Sequence, residues 1–285
     1  MLWCMPPTPS ARRQRVGIEL RKMRDAAGKT TIEAAAVLGL DRTKITLIEQ
    51  GLYAVTPERV VALASEYEEG DSAYVDALAT MAGDRTKGWW EEHRGLVSAG
   101  LLDISEVEHY SHGISTYQIC HAPGLMQTED TAREIFREVY PPLRPLNIEA
   151  RVENRMRRAQ LLTRSEPIEY EAIVHEAALR MMFGGPTVVR AQLQHLLMLS
   201  DLPNVTLRVL EFRAGGFKGA GQAVMYARGP VTRLDTVQLD SVGTPTFLTE
   251  ANQLENYRNI IGAMRDRALG PSESRDLVSA IMKTL

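Results

Sequence analysis

Cysteine is nearly absent: Cys4 and Cys120 are the only two in 285 residues. Two lone cysteines make no disulfide framework, so the chain reads as one suited to a reducing cytoplasm. No apolar run approaches the roughly 18–20 residues that cross a bilayer, which excludes a membrane-spanning helix. The opening residues, MLWCMPPTPSARR, lack the apolar stretch of a signal peptide. There is no G-K-[ST] phosphate loop, no internal repeat, and no biased segment beyond the first few residues. The net charge of −3 argues, taken alone, against a polyanionic partner.

The local distribution of charge reverses that reading. Residues 12–52 hold nine Lys/Arg against five Asp/Glu, whereas residues 53–83 hold one Arg against six Asp/Glu. A basic segment in an acidic chain is the footprint expected for nucleic acid.

Within the basic segment stands TTIEAAAVLGLDRTKITLIEQG, residues 30–51. Thr30 precedes Glu33 by three residues, the spacing of a capping box. Ala34, Ala35 and Leu38 give that helix an apolar side. Gly39 can take positive φ and stop it. Asp41 is placed to cap a second helix, whose inward side carries Ile45 and Ile48. Two short helices around a glycine turn make a helix-turn-helix, whose second helix enters the major groove. An αα-hairpin in a helical core would have the same geometry. It would have no need of Arg42, Thr43, Lys44 and Thr46 outside, with two cations near a helix N-terminus whose dipole disfavours them.

Residues 30–51 resemble the Cro/repressor-type helix-turn-helix of the XRE family, with its pattern T-Q-x-x-L-A-x-x-x-G-x-S-x-x-x-I-S-x-x-E-x-G. The match falls on Thr30, Ala35, Gly39, Ile45, Glu49 and Gly51; it departs at Thr31, the usual Gln position, and at Asp41. The resemblance implies that Arg42, Thr43 and Leu47 read bases. Arg42 would fork onto guanine, and Leu47 or the Thr43 methyl would meet a thymine methyl. It places Lys44 and Gln50 on phosphates, and Thr31 and Thr46 on the same DNA-facing surface.

Along the chain, residues 1–10 are Pro-rich and expected to be a disordered tail. Residues 11–83 are expected to form a five-helix DNA-binding domain, with Thr56-Pro57 opening the fourth helix. Arg12, Arg13 and Arg15 read either as an arm over the DNA backbone or as a solvated end. Residues 84–88 read as a linker, and Trp89-Trp90 as a packing anchor between domains. Residues 89–285 read as an α+β domain on an antiparallel sheet. Its strands are expected at Gly113–Cys120, Ile168–His175, Val205–Leu210, Ala223–Ala227 and Thr236–Leu239. A long helix, Asn147–Leu162, carries Arg151, Arg155, Arg157 and Arg158, which read as solvated i,i+4 partners of Glu149 and Glu153. The expected fold is therefore mainly α in the head and α+β in the larger domain.

Further strings extend the resemblance over nearly the whole chain. They include Gly88-Trp89-Trp90, Pro123-Gly124-Leu125-Met126-Gln127-Thr128, Arg158-Ala159-Gln160-Leu161-Leu162, Glu176-Ala177-Ala178-Leu179-Arg180 and Pro203-Asn204-Val205-Thr206. In this order they are similar to antitoxin-like transcriptional regulators, whose genes often lie beside one for a small partner protein. His175 stands where that group usually has Asp, and the strand at Leu239-Asp240 usually ends in Glu. The resemblance implies no enzyme activity.

Candidate chemistry is thin. His109, His112, Cys120 and His121 lack a firm zinc spacing. His175-Glu176 has no nucleophile with a supporting motif, and the glycines of GGFKGAG, residues 215–221, suit a hairpin loop better than a phosphate cradle. No catalytic set, cofactor or metal is expected. The leading expectation is a cytoplasmic, homodimeric transcription regulator on a pseudo-palindromic double-stranded operator, without membrane association. Its C-terminal domain would bind a small protein partner. The alternative is a one-component sensor with a small-molecule effector, and an enzyme of unknown class is a distant third.

Overall fold

The computed structural model describes residues 9–240 and 244–285. The chain forms two compact units. One comprises the chain up to Trp89 together with Pro230–Leu234; the other comprises Trp90–Gly229 and Asp235–Leu285. Most of the expected disordered tail, residues 1–10, lies outside the described residues. Pro9 and Ser10 are placed: Ser10 caps the first helix, and the Pro9 carbonyl accepts from Gln14 Nε2 at 2.9 Å.

The first unit contains α1 (Ala11–Ala26), α2 (Thr31–Leu38), α3 (Arg42–Glu49), α4 (Pro57–Glu66) and α5 (Ser72–Gly83). Each opens on an oxygen-bearing side chain, from Ser10, Thr30, Asp41, Thr56 and Asp71 in turn, that accepts an N–H of the first turn. Leu20, Ile45, Val60, Leu63, Tyr74 and Leu78 form the core, joined by Leu234. At Gly17, α1 meets the end of α3 so closely that a Cβ would stand 2.4 Å from the Ile48 carbonyl oxygen. Only glycine fits there.

Ion pairs tie the same helices together. Arg24 forks onto Glu49 at 2.6 and 3.0 Å, which links α1 to α3 and gives Glu49 of the motif a structural task. Glu19 is buried with Arg15 at 2.9 Å and accepts from Tyr74 Oη at 2.7 Å. Arg233 lies with its guanidinium carbon 3.6 Å from the Tyr74 ring centre and bonds Glu69 at 2.9 Å. A cation over an aromatic face, with a carboxylate beside it, anchors residues 230–234 in this unit.

In the second unit the strands are β1 (Gly113–Gln118), β2 (Glu169–His175), β3 (Val205–Leu210), β4 (Val224–Arg228), β5 (Thr236–Leu239) and β6 (Thr246–Leu248). They form one sheet in the order β3-β2-β1-β4-β5-β6. Its helices are α6 (Ala99–His109), α7 (Glu129–Arg137), α8 (Pro145–Ala159), α9 (Glu176–Arg180), α10 (Gly185–Leu199), α11 (Ala251–Arg267) and α12 (Pro271–Lys283). The α+β architecture is as expected. Three of the five strand pairings are antiparallel, and β1-β2 and β2-β3 are parallel. The parallel pairs follow from their connections: α7 and α8 lie between β1 and β2, and α9 and α10 between β2 and β3. Helical crossovers of that length return the chain in the same direction.

Alternation along the strands serves two faces. Ile114, Tyr170, Ala172, Val174 and Met225 meet a core shared with α10 and α12. Tyr117, Ile173, Val224, Tyr226 and Val237 meet one shared with α11. Trp90 is buried in this unit, its ring 5.1 Å from that of His109 and 6.1 Å from that of Tyr110. His109 and Tyr110, two of its neighbours, belong to the second unit.

Candidate nucleic-acid interface

The turn between α2 and α3 is built from local chemistry. Thr30 and Glu33 complete the capping box at the start of α2, and this holds the Glu33 carboxyl below its usual range through the Thr30 N–H and hydroxyl. Gly39 closes α2 at φ 61°, a left-handed conformation that costs glycine little. Asp41 accepts from the Lys44 N–H at 3.0 Å, and that bond, with the Lys44 charge behind it, lowers the Asp41 carboxyl.

On α3, Ile45 and Ile48 are buried and pin the helix to the core. Arg42, Thr43, Thr46 and Gln50 are exposed, and Leu47 is half-buried. At about 100° per residue these five fall on one continuous stripe opposite the two isoleucines. Lys44 is half-buried and lies on the flank of the stripe, with Nζ 3.7 Å from Asp41. A surface pair of this kind is worth little, so the lysine is easily drawn to another anion. Thr31, the first residue of α2, is half-buried. The Thr46 hydroxyl donates back to the Arg42 carbonyl at 3.2 Å.

The basic count of residues 12–52 overstates the charge on offer. Arg15 and Lys22 are engaged by Glu19, Arg24 by Glu49, Lys29 by Glu66, Arg21 by Asp25 and Arg12 by Asp84. Arg15 is therefore a core residue and not part of a DNA-binding arm. Among the described residues, no ion pair involves Arg13 or Arg42. An exposed guanidinium without a carboxylate, at the start of a helix that presents a polar stripe, is suited to receive a guanine edge or a phosphate.

The second unit holds a group that the sequence reading missed. On α8, the ion pairs of Glu149 and Glu153 reach other elements. Glu149 is taken by Arg133, Glu153 lies 3.5 Å from His93, and Arg157 reaches Glu92. Arg158 is buried and forks onto Glu108 of α6 at 2.7 and 2.6 Å. Arg155 lines a cavity beside it. The signal was present in the spacing: 151, 155 and 158 share a helical face, and Phe136 lies beneath two of them. The Gly-rich loop at 215–221 is held through its carbonyls, since Arg267 Nη1 donates to Ala214 and Gly216. That is the opposite polarity to a phosphate cradle.

Residues 15–73 match a family described as a helix-turn-helix domain, and residues 101–280 match one described as a domain of unknown function (DUF5753). No curated protein and no solved structure matches the chain. The helix-turn-helix match supports a DNA-binding regulator, and because the second match spans more than half of the chain, the protein belongs to the DUF5753 family, here with a helix-turn-helix domain ahead of the family's defining region.

Proposed function

We propose that this chain is a sequence-specific transcription regulator that binds double-stranded DNA as a homodimer. The observation that carries the reading is the stripe on α3, with unpaired Arg42 at its head and Thr43, Thr46, Leu47 and Gln50 along it. Arg42, Thr43 and Leu47 would face base edges; Lys44, Gln50, Thr46 and Thr31 would hold the backbone. One helix-turn-helix touches too little DNA for tight specific binding, so two copies on a pseudo-palindrome are proposed. No helix among the described residues is long and apolar enough to cross a membrane, and a DNA target places the protein's action in the cytoplasm.

The C-terminal domain is proposed to be regulatory and not catalytic. His175 and Glu176, the pair with acid–base potential, are occupied. His175 Nδ1 accepts the Ala177 N–H at 3.2 Å, and Glu176 bonds Arg180 and the Phe212 N–H. The order of sequence strings shared with antitoxin-like regulators favours a small protein partner that alters DNA binding. A small-molecule effector is the second reading, favoured by the arginine-lined cavity.

Native mass spectrometry tests the stoichiometry. Full-length protein mixed with a duplex enriched from a random pool is expected to appear as two protomers per duplex. One protomer per duplex, at protein excess, would contradict the dimeric operator.

A further inference from the structure

The cavity in the second unit has a volume of about 350 Å³, within the range of small-ligand sites. Its floor is the part of the sheet formed by β1, β4 and β5, and its cover is α6, α7 and α8. Much of the wall is apolar, with Ile104, Ile114, Phe136 and Met225 prominent.

Two cations stand in this wall, and they differ. Arg158 is matched in charge by Glu108, which takes its Nε and Nη2. Arg155 donates from Nη1 to Gln127 Oε1 at 2.6 Å and lies 4.7 Å from the centre of the Phe136 ring. Its Nε is shielded from solvent and has no hydrogen-bond partner in the described structure. Burial first, and the Arg158 charge second, hold the Arg155 guanidinium below its usual range. A shielded donor without an acceptor is costly, and the half-buried guanidinium that carries it has no carboxylate bonded to it among the described residues.

The remaining titratable groups limit the guest's charge. Asp240 stands exposed at the rim and accepts from Gln238 Nε2 at 2.9 Å. His121 is held below its usual range by burial, which disfavours its charged form. In number, Glu108 and Asp240 balance Arg155 and Arg158, but Glu108 is bonded to Arg158 and Asp240 stands exposed at the rim, so Arg155 has no carboxylate bonded to it. A multiply charged phosphate would be repelled by Asp240 and would find one free cation, whereas a single carboxylate fits both the charge and the geometry of a guanidinium edge.

We infer that this cavity binds a small monocarboxylate with an apolar body, its carboxylate on the guanidinium of Arg155 and its body against Phe136, Ile104 and Met225. The inference rests on the second reading of the C-terminal domain, as a small-molecule sensor. It is read out on the protein without DNA, so its failure and the failure of the DNA reading are separable.

Isothermal titration of the full-length protein with octanoate, 4-phenylbutyrate, octanamide and inorganic phosphate tests it. Saturable binding of at least one of the two carboxylates is expected, at least tenfold tighter than octanamide or phosphate. Arg155→Gln is expected to weaken it at least tenfold, with Arg155→Lys in between. Equal binding of octanoate and octanamide, preference for phosphate, or no saturable binding of either carboxylate would overturn the proposal. Should Arg155→Gln fail to fold, the comparison of octanoate with octanamide on the unaltered protein decides alone.

Discussion

Replacing Arg42 with alanine is expected to cost about 1–3 kcal/mol per half-site on the preferred sequence, roughly five- to 150-fold, and much less on random duplex. The loss comes from a guanidinium that no carboxylate among the described residues engages. Asp41, the carboxylate next to it in sequence, faces Lys44 at 3.7 Å. Lys44→Ala is the contrasting variant. A phosphate contact carries no base information, so its removal should weaken all sequences about equally and reduce the salt slope by about one. Fluorescence anisotropy with specific and random duplexes, over a series of salt concentrations, separates the two. Equal loss on both duplexes in Arg42→Ala would move that arginine from base to backbone. No loss on either would remove α3 from the interface. The fold should survive both changes, because Arg42 is exposed and Ile45 and Ile48 keep α3 in place.

Glu108→Ala is expected to destabilise the second unit by about 3–5 kcal/mol, because it leaves Arg158 buried without its counter-charge. Both side chains are close to fully buried, at 3% and 6% exposure. Desolvation of two ions consumes most of their attraction, so the pair itself adds little net stability. Breaking it is what costs. Exchanging both partners for apolar residues, as in Glu108→Leu with Arg158→Met, should therefore recover most of the loss. Hydrogen exchange of the β1 and β2 amides, at increasing urea, reports on this unit without interference from the head. A loss below about 1 kcal/mol in the single variant would mean that the arginine finds water or another acceptor on relaxation.

The helix-turn-helix was legible because its signals are local. Thr30 with Glu33, Gly39, Asp41 and Thr56 with Pro57 each act within a few residues, and each occupies the expected cap or turn. The main strands were legible for a similar reason, since β2, β3 and β5 carry dense β-branched and aromatic residues between turn signals. What escaped notice depends on distant partners. Counting cations over residues 12–52 suggested a basic face of modest size, but Arg15, Arg24 and Lys29 meet Glu19, Glu49 and Glu66, the last two from other helices. The short strand β6 gains its identity only by pairing with β5. No local pattern announces that Leu234, between two strands in sequence, belongs to the core of the head. Likewise, Arg155 and Arg158 read as solvated because Glu149 and Glu153 were near in sequence. In the fold, Glu108 and Gln127 take them instead.

Selection of binding sites from a random duplex pool with the full-length protein, followed by titration of the enriched duplex at two salt concentrations, tests the central claim most directly. A pseudo-palindrome is expected, with half-sites about 10–10.5 bp apart from centre to centre or a multiple of that, and an affinity that falls steeply as salt rises. No enrichment over the starting pool, or binding indifferent to salt, would contradict the assignment of α3 as a DNA-reading helix.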